Sequence, residues 1–337
     1  MSNQPVSVVT GGAGFIGSHL VDTLLDVGHF VRVVDNLSTG RESNLQQHSN
    51  NPSLVCDWQD VRNVEPSSSI FSGADFCFHL AGLGEIVPSI DTPTRYMDIN
   101  VQGTIRILEA ARYAQTKKFV YAASSSCYGL AATPTAEDHP ISPQYPYALS
   151  KYMGELAVFH WQQVYGLPVN VVCIFNAYGT RAKTSGAYGA VFGVFLKQKL
   201  AGTPFTVVGD GTQTRDFLYV TDVARAFLTA ATSETKGERF NLGAGKPQSI
   251  NRLVELLEGE VINLPKRPGE PDCTHANISK ICRTLGWTPT VSFEDGVSMM
   301  LANIDYWGDA PLWDKSSIAK ATKNWFQQIG TDKQEIL

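Results

Sequence analysis

Tyr147 and Lys151 stand four residues apart at the head of a helical pattern, YALSKYMGELAVFHWQQV. Residues at i and i+4 share a helix face, so a phenol and an ammonium can project into one crevice. A free phenol titrates near pH ~10 and is a poor base at neutrality. A neighbouring cation favours the phenolate, more strongly in a pocket of low dielectric, so Tyr147 could take or return a proton near pH 7. Just upstream, residues 119–124 are β-branched, aromatic and small, the pattern of a buried strand that stops in the hydroxyls Ser124, Ser125 and Ser126. In an open parallel sheet the carboxyl ends of the strands border the ligand crevice. Ser124 would then hydrogen-bond the same hydroxyl on which Tyr147 acts. The Tyr/Lys pair alone fits an ordinary amphipathic helix equally well, so the elements around it decide.

Those elements begin at the amino end. Residues 6–9 read as a short apolar strand, followed at once by Thr10-Gly11-Gly12-Ala13-Gly14-Phe15-Ile16-Gly17 and a helical pattern to about residue 27. Glycines at these spacings permit a tight turn and close backbone approach, so the helix amino end can receive a pyrophosphate. The context agrees: a strand before, a helix after, and an acid, Asp35, ending the next strand about 20 residues on. Its carboxylate suits an adenosine ribose and repels a 2′-phosphate, which points to NAD over NADP, with Asn36 beside it. Arg41 leaves room for NADP. Strand patterns recur over 54–58, 75–80, 119–124 and 169–175, with helical ones between, clearest over 95–114. This alternation predicts an α/β fold with a doubly wound parallel sheet. Asp57 and Trp58 end a strand where an adenine would lie. His79-Leu80-Ala81-Gly82 ends another beside the nicotinamide path, with His79 as a structural residue.

After Phe175 the texture changes. Residues 1–175 form the predicted dinucleotide-binding domain, to which part of 205–245 returns, and 176–337 a smaller α/β domain closing over the sheet. The glycine-rich stretch 184–193 breaks the alternation. Arg215 and Arg267 fall in loops of the second portion. Their guanidinium forks match phosphate geometry, and a solvated surface arginine is the equal alternative. Glu270 could bind a ribose or cap its turn. The 337 residues carry 43 % apolar and 18 % charged side chains and a formal charge of −5, which argues against a nucleic-acid surface. No apolar run is long enough to span a membrane, and the amino terminus lacks a signal-peptide pattern, so a cytoplasmic location is expected. The six cysteines show no C-x-x-C spacing and read as reduced thiols, without a metal site.

Thr10 to Gly17, Asp35-Asn36-Leu37, His79 to Gly82, Asn100, Ser124 with Tyr128-Gly129, Tyr147-x-x-x-Lys151, Asn176 and Arg215-Asp216 together resemble an extended short-chain dehydrogenase/reductase. Within it the chain is most similar to nucleotide-sugar epimerases of the UDP-glucose 4-epimerase type. The resemblance implies a Rossmann domain holding NAD through Gly11, Gly14, Phe15, Ile16, Gly17, Asp35, Asn36, Asp57, Trp58, Leu80, Ala81, Gly82, Asn100, Tyr147 and Lys151. It makes Tyr147 the catalytic base, Lys151 the cation that lowers its pKa, and Ser124 the polarising hydroxyl. A nucleotide-diphosphate sugar would be held by Ser124, Ser125, Ser126, Tyr147, Asn176, Arg215, Arg267 and Glu270, in a homodimeric enzyme of carbohydrate metabolism and polysaccharide biosynthesis. The implied reaction is epimerisation at C4 through a 4-keto sugar. Two rivals stay open: a C4 dehydrogenase giving a net 4-keto product, and a non-catalytic nucleotide-sugar-binding protein. The 4,6-dehydratases resembled here carry an Asp-Glu pair where this chain has Ser125 and Ser126, which speaks against dehydration. Gly84 stands where many 4-epimerases have a Lys, and Thr274 where some have a Tyr beside the sugar. The residues from 307 onward have no counterpart.

Overall fold

The computed structural model describes residues 4–182 and 191–330. The stretch 184–193 singled out above lies almost wholly outside them. In chain order the strands are β1 (Val6–Thr10), β2 (Phe30–Val34), β3 (Leu54–Asp57), β4 (Phe76–His79), β5 (Lys118–Ser124), β6 (Val169–Ile174), β7 (Asn176–Tyr178), β8 (Phe205–Val208), β9 (Thr214–Arg215), β10 (Phe217–Tyr219), β11 (Glu238–Leu242), β12 (Gln248–Ser249) and β13 (Val261–Leu264).

Seven of them form one parallel sheet in the order β11-β6-β5-β4-β1-β2-β3. Its central strands bury both faces, so they read as near-continuous apolar runs rather than alternating ones. Every residue of β5 and of β6 is buried. Helices Phe15–Asp26 and Val220–Thr232 cover one face, around Leu20, Phe78, Val172, Phe227 and Phe240. Helices Gly103–Tyr113 and Pro146–Tyr165 cover the other, around Ile107, Leu108, Phe119, Tyr121 and Val158. Strand order reverses between β1 and β4, and a crevice opens there at the carboxyl ends. β11 joins the sheet after an excursion, paired in register with β6.

A second core lies above that crevice. Helices Val191–Leu200, Ile250–Leu257, Phe293–Ala302 and Lys315–Ile329 and the parallel pair β8/β13 enclose Phe195, Leu253, Met300, Trp307 and Trp325. Trp307, Ala310, Ile318 and Trp325 of the tail are therefore part of this core. The expected single helix over 95–114 is broken instead into Pro93–Met97, a turn of π-helix at Asp98–Gln102, and Gly103–Tyr113. Among the described residues no helix is long and apolar enough to cross a membrane.

Candidate active site

The glycine turn is built by backbone. Gly11 adopts φ +72° and donates to Val34 O at 2.8 Å, and Gly14 N donates back to Gly11 O at 3.0 Å. A Cβ on Gly17 would come within 2.0 Å of Gly11 O, and one on Gly11 within 2.8 Å of Ala81 N. No side chain caps the helix that starts at Phe15, since its N-cap is Gly14. Its first amides have no intrahelical partner and carry the positive end of the helix dipole, which fits a pyrophosphate.

The turn opens into a cavity of about 670 Å³, ample for a dinucleotide's reactive half and a second ligand. Gly11, Gly14, Phe15, Ile16, Gly17, Asp35, Asn36, Leu80, Ala81 and Gly82 line one side; Ser124, Ser126, Tyr147, Asn176, Arg215, Arg267 and Glu270 line the other. Asp35 accepts from Ala13 N at 3.0 Å and Leu37 N at 2.8 Å, one bond to each oxygen. A second lone pair on each oxygen remains for ribose hydroxyls. Burial pushes its carboxyl up, and the two amide bonds oppose that.

Several expected contacts fall elsewhere. The chain leaves the sheet after Asp57, whose carboxylate is taken by Gln59 Nε2, and Trp58 is 42 % exposed. Gln59, Asp60 and Val61 line the cavity in their place. Asn100 is not on the wall: its amide accepts from Leu83 N at 2.8 Å and donates to Leu83 O at 3.0 Å and Ser150 Oγ at 2.9 Å. It braces the loop after β4, and the π turn aims it there. Ser125 also lies off the cavity wall: the chain leaves β5 in a 3-10 turn over Ser125–Tyr128, and Ser124 and Ser126 are the hydroxyls that line the cavity. His79 is fully buried between Thr10 Oγ1 (2.7 Å) and Thr104 Oγ1 (2.9 Å), and burial lowers it to about 3, so it stays neutral.

Tyr147 and Ser124 both line the cavity, and Ser124 favours the ionised form of the phenol. Lys151 lies one turn deeper, behind the wall rather than on it, 7 % exposed and 4.3 Å above the Tyr121 ring. Burial pushes its ammonium down to about 8, with Cys127 and Glu155 opposing. In the cofactor-free protein the net shift of the Tyr147 phenol is upward rather than the lowering expected from Lys151: burial raises it, and Ser124 is the main influence against that. The physical reason is that the same desolvation that lifts the phenol weakens its cation.

On the opposite side, Thr274 Oγ1 accepts from Asp216 N at 3.3 Å and donates to Asn176 Oδ1 at 2.6 Å. This fixes the Asn176 amide so that its NH₂ faces away, toward the cavity. Thr274 thus acts behind Asn176 and does not itself line the space. Arg267 pairs with Glu270 at 3.1 Å, and Arg215 donates to Thr214 O at 2.9 Å. Burial disfavours the Arg215 charge, Glu270 supports it and Arg267 opposes it. Two guanidiniums against one carboxylate leave a positive end that suits a diphosphate. Sequence reasoning missed Ala310, Pro311, Trp313 and Trp325, which complete the wall. The spacing Ile318, Thr322, Trp325 marks a buried helix face, but nothing in it marks a binding site.

Residues 7–243 match the model of the NAD dependent epimerase/dehydratase family, and the chain belongs to that family. It is built on the extended short-chain dehydrogenase/reductase plan and uses NAD. The chain is 35 % identical to the UDP-glucose 4-epimerase of Mycolicibacterium smegmatis, over 87 % of this chain and 96 % of that one. A solved UDP-glucose 4-epimerase with UDP-glucose from Thermotoga maritima matches with TM-score 0.82 at 33 % identity, over 90 % of this chain and 98 % of that one. UDP-glucuronic acid 4-epimerase from Bacillus cereus, solved with UDP-glucuronic acid and NAD, matches with TM-score 0.83 at 31 % identity, over 90 % and 99 %.

Proposed function

We propose that the protein epimerises a nucleotide-diphosphate sugar, with UDP as the nucleotide, at C4 through a transient 4-keto sugar. The observation that carries this is that Ser124 and Tyr147 line the same cavity as the glycine turn and Arg215, with Ser124 favouring the ionised phenol. The glycine turn, Asp35 and Asn36 would hold NAD, which supplies a reversible acceptor for the C4 hydride.

The chain's own residues do the rest. Arg215, Arg267 and the oriented amide of Asn176 grip the diphosphate, and this end stays fixed while the sugar turns. Ser124 donates to the C4 oxygen, and Tyr147 removes the C4 hydroxyl proton and returns it to the C4 oxygen once the sugar has turned its other face, so that the hydride comes back to the opposite face of C4. With NAD held by the glycine turn, Asp35 and Asn36, its positive charge would offset the burial that raises the Tyr147 phenol. Lys151, charged below about pH 8, supports the same ionisation from behind. Atoms balance over the cycle, and no reductant is consumed.

A homodimer through helices Gly103–Tyr113 and Pro146–Tyr165 is part of this reading. A cytoplasmic location accords with six free thiols. The product would serve as a donor for polysaccharide biosynthesis. The test is to incubate the protein with UDP-, GDP-, CDP- and dTDP-sugars and read product stereochemistry by NMR. We expect C4 inversion of a UDP-sugar without build-up of reduced nicotinamide, and a loss of about 100- to 10,000-fold in Tyr147→Phe. Stoichiometric nicotinamide reduction would replace epimerisation by net oxidation.

A further inference from the structure

Trp325 belongs to the carboxyl-terminal helix Lys315–Ile329, far along the chain from the catalytic motif, yet it forms part of the cavity wall and is 1 % exposed. Its indole N–H donates to Pro268 O at 2.8 Å, which fixes the loop carrying Arg267 and Glu270. Its ring centroid lies 5.6 Å from that of Tyr145. Tyr145 in turn stacks on Tyr147, with centroids 6.5 Å apart and planes 6° apart. Tyr96 also packs edge-on against Tyr147, at 6.4 Å and 74°. The phenol is thus packed against two rings, one of which rests on the indole.

The helix that carries Trp325 is itself anchored on both sides of the crevice. Asn324 Nδ2 donates to Asp91 Oδ1 at 2.6 Å, on helix Ile86–Asp91 just after the Leu83–Gly84 loop. The segment leading into it is held by Gln198 Nε2 donating to Trp313 O at 2.7 Å. A proton-transferring group must sit in register with its partner, and a misplacement of about 1 Å costs on the order of 100-fold in rate.

We propose that the carboxyl-terminal helix is a working wall of the active site, and that Trp325 is a positioning residue which, through Tyr145, holds Tyr147 in register with Ser124. The inference rests on the epimerase reading and deepens it, since it concerns a segment beyond the matched residues 7–243.

The test is steady-state kinetics of the holoenzyme on the UDP-sugar that the wild type converts, alongside the Kd for UDP by calorimetry and thermal melting. Trp325→Ala is expected to lower kcat by about 10- to 100-fold and, because the indole also holds Pro268 beside Arg267, to weaken UDP binding by a smaller factor, with Trp325→Phe recovering most of the loss in kcat. Tyr145→Leu, which removes the intermediate ring, is expected to lower kcat similarly. Adding Trp325→Ala to it should then cost little more, because both act along one route. Wild-type kcat in Trp325→Ala, additive losses in the double variant, or UDP affinity falling in step with kcat would each overturn the proposal. If Trp325→Ala fails to fold, Trp325→Phe and Tyr145→Leu decide: unchanged kcat in Tyr145→Leu overturns it. A wild type that neither binds UDP nor converts any nucleotide sugar overturns the underlying reading, and does so before any variant is made.

Discussion

Lys151 shows how a single residue can be held against its own preference. Burial brings its ammonium down to about 8, and Glu155, one helical turn on, opposes this while itself paired to Arg239 at 3.0 Å. An unfolded lysine titrates near ~10.4, so from about pH 8 to 10 the unfolded chain binds more protons than the native one. The sign follows: this group makes stability rise with pH across that window, and below it the buried ammonium destabilises the fold in full. A shift of this size corresponds to about 3 kcal/mol, less what the cation gains over the Tyr121 ring. We therefore expect Lys151→Met to stabilise the cofactor-free protein by about 2 kcal/mol at pH 7, while reducing turnover. The gain should shrink toward pH 9.5. Urea melts at the two pH values check it, and equal destabilisation at both would show that the ammonium is not a burden on the fold.

At the scale of elements, the loop after β4 separates what a motif can tell from what it cannot. Gly84 sits in that loop with no atom within 4 Å of where a Cβ would stand, although it borders the cavity. Gly84→Lys should therefore fold with near wild-type stability, and its ammonium would reach a site built for an anionic dinucleotide. We expect slower NAD release from the variant, measured by cofactor retained on gel filtration; a fall in melting temperature of more than a few degrees would place the backbone, not the side chain, in control. The strand, glycine turn and helix of residues 6–27 were legible because their chemistry is local: Gly14 and Gly17 meet the backbone of Gly11, and Gly11 meets that of Ala81. Asp35, Tyr147 and Ser124 were legible because they end or begin elements whose period is plain. Asp57 and Trp58 fall off the cavity wall because the chain turns at the end of β3, where Gln59, Asp60 and Val61 face the cavity instead. The role of Asn100 was hidden by a π turn, which the 3.6-residue spacing on either side does not announce. Trp325 was invisible as a site residue because its contacts to Pro268 and Tyr145 span 57 residues and far more.

The whole molecule adds a face that the monomer leaves uncovered. Helix Pro146–Tyr165 directs Tyr147, Lys151 and Glu155 inward, whereas Leu149, Met153 and Leu156 recur on its outer side at 42, 39 and 50 % exposure, with Val164 further along. Tyr113 of helix Gly103–Tyr113 and Tyr165 are exposed beside them, at 65 and 50 %. A contiguous apolar stripe of this kind on adjacent helices is what an isologous interface buries, because two-fold symmetry lets one patch cover itself. Placing a charge in the middle of the stripe should prevent that pairing without touching the catalytic face, since residues 147 and 151 point the other way. Leu156→Arg is accordingly expected to sediment as a monomer at micromolar concentration where the wild type sediments as a dimer. Its kcat should stay within a few-fold, and its melting temperature should fall, because a partner that binds only the folded state stabilises it by mass action. A wild type that sediments as a monomer would remove the interface. A dimeric Leu156→Arg would move it to another surface, and a monomer without activity would mean that the partner helix is needed to keep Tyr147 and Lys151 in place.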